Sequence, residues 1–232
     1  MRSIAWLGFV NLAILIILAP VVCAQASAQT SDDSLKIYAV NVVKTAPFRK
    51  PFIGDGIYLG KGLVITAAHV VGHWPLFTRP HILIGGQDLP AKVVKEGSFE
   101  ETDLALLSVD EERLPVSLRL RRNPLCKDPP AVGMDVIDVV PEETTHAQTI
   151  SPLLIAPELR GRFDTLITTP EGSGSGLFDA GRKCLLGIIS AKVQKYSYQK
   201  KNRHVSVQAD GFAGYFVPAS KIADFIPPEY RF

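Results

Sequence analysis

Cysteine is scarce in this 232-residue chain: three residues in all, and no Cys-x-x-Cys pair. That leaves no thiolate set for a structural zinc ion, and neither a metal nor any other cofactor is expected. Sustained helical periodicity is lacking as well; no apolar pattern at helical spacing runs beyond about ten residues. One-sided charge is missing too. The formal net charge is +2, too small to supply a field for nucleic acid or an anionic membrane surface. No internal repeat or low-complexity tract stands out. What the chain does have is punctuation: 18 Gly and 17 Pro, spaced through a sequence that is 47% apolar. Frequent breaks in an apolar background suit many short strands, and the length suits one large domain or two small ones.

Residues 1–28 read as an export signal. Arg2 is the only charged side chain there, Ile4 to Val22 is an apolar run broken by Gly8, Asn11 and Pro20, and small residues follow in CAQASA at 23–28. Cleavage fits after Ala28 or Ala26, while the run is also nearly long enough to stay as a membrane anchor. Val22 denies Cys23 the small preceding residue that a lipid-anchored cysteine needs. Either way the remainder is expected to be secreted or periplasmic, and free of the membrane once cleaved. In an oxidising compartment the other two cysteines, Cys126 and Cys184, are a disulfide candidate. Closing so long a loop stabilises by roughly 4 kcal/mol in the chain-entropy picture.

Strand-like runs rich in Ile, Val and Leu recur at 37–40, 56–59, 63–66, 81–84, 91–94 and 104–107. Residues 111–130 are charged and proline-rich and read as a crossing between domains. A second set follows at 132–140, 165–168, 176–178, 185–190 and 214–217. PASKIADFI at 218–226 opens on Pro and carries apolar Ile222, Phe225 and Ile226, which suits a short terminal helix. Two strand-rich halves around a crossing suggest two β-barrels or sandwiches.

Three segments carry chemistry. GDGIYLGKGLVITAAHVV (54–71) contains His69, TDLALLSVD (102–110) contains Asp103, and PEGSGSGLFD (170–179) contains Ser173 and Ser175. A serine hydroxyl is a weak nucleophile. It needs an imidazole to take its proton, and the imidazole needs a carboxylate to fix its tautomer and stabilise its charged form. The chain offers one of each, in the order His, Asp, Ser, each beside a strand-like run. Asp110 is the weaker candidate for the carboxylate because it follows its apolar run.

These segments resemble the motifs of chymotrypsin/trypsin-like serine endopeptidases of the exported bacterial type. ITAAHVV (65–71) is similar to the family's strand-then-histidine segment and DLALL (103–107) to its aspartate motif. GSGSGLFD (172–179) resembles the nucleophile loop, and GIIS (187–190) the strand lining the substrate cleft. The likeness spans about residues 36–226. It implies an all-β fold of two six-stranded, chymotrypsin-like β-barrels with a short C-terminal helix. The layout becomes an N-terminal barrel over 35–115, a crossing over 116–130 and a C-terminal barrel over 131–226.

The same resemblance implies a triad of His69, Asp103 and Ser173. Ser173 is favoured because the family follows its nucleophile with Gly, a small residue, then Pro or Gly, then an apolar strand. Counting from Ser175 would put Leu177 at the small position. The backbone N–H groups of Glu171 and Ser173 become the oxyanion donors. The chain departs from the family here, with Glu171 where Gly is usual and Gly172 where Asp is usual. The resemblance places Ile167 and Thr168 at the base of the substrate pocket and Ser190, Ala191 and Lys192 along its wall. No acid stands at that base, so a preference for Lys or Arg is not expected. The expected partner is a protein or peptide substrate, not nucleic acid, with the enzyme a monomer. The basic stretch KVQKYSYQKKNRH (192–204) reads as a solvated hairpin. The alternative is a non-catalytic binding protein of the same fold with an impaired oxyanion hole.

Overall fold

A computed structural model of the chain describes residues 32–45, 51–72, 80–201 and 204–231, leaving aside the side chains of 198–205. The segment read as an export signal, with Cys23, lies outside these residues. Contacts divide the chain into Met1–Leu35 and Lys36–Phe232, and only the second is considered from here. Among the described residues no helix is long and apolar enough to cross a membrane.

Two antiparallel sheets make up the fold. The first contains β1 (Ala39–Lys44), β2 (Phe52–Gly60), β3 (Leu63–Thr66), β4 (His81–Ile84), β5 (Gln87–Pro90), β6 (Lys92–Glu96) and β7 (Ala105–Ser108), in the order β5-β4-β1-β2-β3-β7-β6. Six strands were expected here and seven are found. The two edge strands, β5 and β6, are consecutive in the chain and separated only by Ala91, whose N–H donates to Pro80 O at 2.8 Å. One-residue linkage of opposite edges forces the sheet to curl on itself, which removes most of the exposed edge. Val40, Val42, Tyr58, Val64, Ile82 and Leu107 fill its interior.

The second sheet contains β8 (Asp135–Val139), β9 (Thr144–Ile150), β10 (Leu166–Ile167), β11 (Gly176–Asp179), β12 (Leu185–Lys201) and β13 (His204–Pro218). It closes as a six-stranded barrel in the order β10-β13-β12-β11-β8-β9. Val136, Ile167, Leu177, Leu186 and Phe216 are among the residues packed inside. β12 and β13 pair from Gly187↔Pro218 out to Lys201↔His204, with register shifts at Ser190 and Lys195, so the basic hairpin continues the barrel's own strands. The terminal helix is Ala219–Phe225, entered through Pro218, and buries Ala219, Ile222 and Phe225.

Between the sheets runs the charged, proline-rich segment. Asn123 N–H donates to Leu59 O at 3.0 Å, while Leu185 N–H donates to Pro124 O at 2.8 Å. Cys126 and Cys184 are joined as a disulfide with Cα atoms 5.1 Å apart. The bond fixes the end of this segment to the residue preceding β12. Asp179 sits beside the two sulfurs, but its carboxylate is taken by the N–H groups of Gly181 and Arg182 and by the Arg182 guanidinium.

Replacing both cysteines by serine is expected to lower unfolding free energy by roughly 4 kcal/mol while leaving the fold intact. Urea denaturation checks this; an unchanged midpoint would show that the bond constrains nothing in the unfolded chain.

Candidate active site

β3 delivers its chain directly into one helical turn, Ala68–Val71, which carries His69. The turn is short and needs help at its end. Buried Lys44 supplies it: its ammonium donates to the carbonyls of Val71 and, at 3.1 Å, Gly72. A cation at the carboxyl end of a helical turn satisfies orphan carbonyls and opposes the end dipole. Val70, on the same turn, packs so close to β2 that a Cβ on Gly54 would lie 2.6 Å from Val70 Cγ1. These contacts fix where the imidazole stands.

Asp103 precedes β7 and is 3% exposed. Its Oδ2 is 2.7 Å from His69 Nδ1, and its Oδ1 accepts the His69 backbone N–H at 2.9 Å. Because the carboxylate accepts, Nδ1 carries the proton and Nε2 is left as the basic nitrogen. Ser190 adds a third bond, its hydroxyl donating to Asp103 Oδ2 at 2.6 Å. Burial pushes the Asp103 carboxyl up, but bonds from the His69 ring, the Ser190 hydroxyl and the His69 N–H outweigh it and hold the group below its ordinary value. The carboxylate is therefore a fixed negative charge facing the imidazole. Phe99 meets the His69 ring edge-on at a centroid distance of 5.9 Å, and Arg162 lies over the Phe99 ring at 4.6 Å.

Ser173 is half-buried on the loop entering β11. Its carbonyl accepts the Asp55 N–H at 3.0 Å, and the N–H of Gly174 donates to Ile189 O at 2.8 Å. Thus β2 holds the loop on one side and β12 on the other, one residue before Ser190. Two glycines allow the approach. A Cβ on Gly172 would run into Asp55 Oδ2, and one on Gly174, at φ +90°, into Asp55 O. Among the described residues no hydrogen bond joins the Ser173 hydroxyl to His69. The Ser173 N–H makes no hydrogen bond there either, whereas the Glu171 N–H donates to Asp138 Oδ2 at 2.9 Å. Ser175 is fully buried beneath the loop.

The remaining expected residues line the second barrel. Ile167 is buried in β10; Thr168 is half-buried and bonds Gln148 through its N–H and hydroxyl at 3.0 and 3.2 Å. Ala191 is half-buried and Lys192 exposed on β12. Ser190, expected as pocket wall, also bonds Asp103. Sequence reading passed over Phe99, Asp55 and Asp138. For Asp138 a signal existed: it is the one charge inside the apolar run VIDVV, and a carboxylate there is rarely buried without a reason. A separate cavity of about 620 Å³, between Leu59, Asn123, Leu125, Ile226 and Tyr230, includes none of the expected site residues.

No protein-family model matches the sequence, and none of the curated proteins does. Solved structures do. The protease Rv3671c of M. tuberculosis in its active form superposes with a TM-score of 0.55 at 20% identity, over 83% of this chain and 81% of that one. Kallikrein-related peptidase 10 in complex with Zn²⁺ superposes at 0.52 and 20% identity, over 82% and 94%. The fold is that of the trypsin-like serine proteases. In it, the His69–Asp103 pair sits on the first sheet and the Ser173 loop on the second.

Two acids beside that loop are perturbed in the opposite sense to Asp103. Burial, then Glu142, raises Asp55 to about 6 against an opposing bond from Asn41. Burial likewise raises Asp138 to about 6, against the bond from the Glu171 N–H and the influence of the nearby Ser175 hydroxyl, which stands short of a hydrogen bond, and with the negative charges of Glu171 and Asp55 adding to it. Between the ordinary value of 3.8 and about 6 the folded protein holds the Asp138 proton and the unfolded chain does not. Stability due to this group is therefore greatest at acid pH and is lost as pH rises through that window. Asp103 runs the other way, its contribution being lost as pH falls through its depressed value. Asp138→Asn should abolish about 2 kcal/mol of the wild-type decline between pH 4.5 and 7.5. Urea unfolding of both proteins across that range decides it; parallel curves would refute the assignment.

Proposed function

We propose that the chain is a serine endopeptidase, a hydrolase of peptide bonds acting through Ser173, His69 and Asp103. The observation that carries this reading is the His69–Asp103 pair, bonded twice and reinforced by Ser190, within a trypsin-like fold whose Ser173 loop is tied to both sheets. Ser173 Oγ attacks the substrate carbonyl while His69 Nε2 takes the hydroxyl proton. Asp103 stabilises the imidazolium so formed without itself becoming protonated. The tetrahedral oxyanion is bound by the N–H of Ser173 and of Glu171. Collapse expels the amine, which takes the proton from His69, and leaves an acyl-enzyme. Water attacks that ester, again with His69 as base, and frees the acid product.

Thr168 at the pocket base and Lys192 at its rim favour substrates with an acidic or small apolar residue before the scissile bond. The disulfide fits an exported enzyme, released after residue 28 or 26 or held by the N-terminal segment. The protein is proposed to act as a monomer. Gly172, standing where the family's digestive members have an aspartate, offers no partner for a newly cut N-terminus, so no further trimming is needed for activity.

A second reading has one observation in its favour. With no bond from Ser173 to His69 and the Glu171 amide engaged by Asp138, the site would suit a binding protein that has lost catalysis. Catalytic hydrogen bonds often tighten only with substrate present, so the geometry does not require this. A fluorophosphonate probe separates the two. The folded protein should label at Ser173, Ser173→Ala should not label, and Asp103→Asn should lower turnover by roughly 10⁴-fold. No labelling of the folded wild-type protein would end the peptidase reading in favour of the binding protein.

A further inference from the structure

The buried carboxylate of Asp138 has a place in the site that the triad does not account for. It lies in β8, fully buried, between Ile137 and Val139. Its Oδ2 accepts the Glu171 N–H, and its Oδ1 has no hydrogen-bond partner. The groups facing it are the Ser175 hydroxyl and two further acids, Glu171 and Asp55. No cation is among them. An anion desolvated in this way, with one backbone donor and like charges for neighbours, is expensive to maintain. A valine of similar volume would serve β8 better if packing were the only demand.

The one firm bond it makes is to the amide two residues before Ser173. Chain position makes that amide the second oxyanion donor, and the first, the Ser173 N–H, is unengaged. We infer that Asp138 is a positioning residue that latches the Glu171 amide away from the oxyanion hole, so that the resting site is half-formed and is completed when the latch opens. This rests on the peptidase reading above. The flanking design agrees with a peptide unit that must turn. Gly172 follows Glu171 directly, and its lack of a Cβ is what lets the loop pass Asp55. Gly174 N–H and Ser173 O are meanwhile fixed to β12 and β2, and Gly172 O accepts the Ser175 N–H at 3.3 Å, so the unit left to turn is the Pro170–Glu171 peptide, which carries the Glu171 N–H. An N–H to a charged acceptor is roughly twice as strong as one to a neutral acceptor. Protonating Asp138 therefore weakens the latch, as does substituting it.

The test uses the exported chain with Asp138→Val, which removes the acceptor and suits a strand, and Asp138→Asn, which keeps shape and only a neutral acceptor. Two readouts are followed from pH 5 to 9: the rate of fluorophosphonate labelling, and kcat and KM for p-nitrophenyl acetate. One oxyanion donor is worth about 10²–10³ in kcat, and part of this is already recovered when substrate opens the latch. We expect kcat and labelling rate to rise at least about tenfold at pH 8 in Asp138→Val, less in Asp138→Asn, with KM changed less than about threefold. The variant-to-wild-type ratio should then shrink towards one as pH falls through about 6, where wild-type Asp138 takes up its proton. Equal rates in all three proteins, or a fall in the folded variants, overturn the latch and leave the peptidase reading standing. Failure of all three to label at any pH overturns both.

Discussion

The Asp103 carboxylate is the joint on which the site turns. It takes the ring and backbone N–H groups of His69 from the first sheet and the Ser190 hydroxyl from the second. Each bond has a separate consequence. The ring bond sets the tautomer, so that Nε2 is the nitrogen left to work. The backbone bond fixes the short turn on which the ring rides. The Ser190 bond brings β12 into register with the imidazole, and Ile189, one residue earlier, holds the Ser173 loop through Gly174. Removing the carboxylate would therefore loosen His69, the orientation of its ring and the Ser173 loop together. Non-additivity is the expected behaviour of groups sharing one buried partner.

Around the Ser173 loop the controlling constraint is steric rather than ionic. Asp55 meets the loop with its N–H, its carbonyl and its carboxylate. The chain passes only because Gly172 and Gly174 have no side chains. Gly172 thereby has a local explanation in place of the aspartate common in the family: there is no room for one beside Asp55. That crowding also gives Glu171 its position. Its side chain, which the hole would not tolerate if turned inward, belongs to a residue whose amide is held by β8 instead.

Much of this was legible in the sequence where the signal is local. His69, Asp103 and the Ser173 loop sit in contiguous motifs, and β3, β4, β7 and β11 are short, mainly apolar runs with Gly, Pro or Asp at or near an end. The cysteine pairing followed from count and compartment. β9 was missed because Thr144–Ile150 is mostly polar, and of its two buried residues, Ala147 and Thr149, the second is a threonine whose hydroxyl accepts the Met134 N–H and donates to Ala131 O. β5 was missed for the same reason, and with it the seventh strand. The partners of the site are a different case. Ser190 reaching Asp103, Phe99 against His69 and Asp138 under Glu171 are contacts between residues far apart in the chain. No window of sequence contains both members.

The acids of the site divide by environment, and the division matches what each is asked to do. Asp103 is as buried as a working carboxylate usually is, but three donors converge on it and it stays charged. Asp138 is more deeply buried and has one firm donor, and Asp55 is raised by burial and then by Glu142; both are pushed up to about 6. Groups of one chemical kind whose pKa values are driven apart within a single site are a recurrent mark of function. The pattern is also a cost, since an apolar residue at 138 would stabilise the barrel at neutral pH. A chain that keeps the carboxylate there gives up stability at the place where the Glu171 amide, the proposed oxyanion donor, is held. That coincidence is what a latch requires and what a passive core position does not.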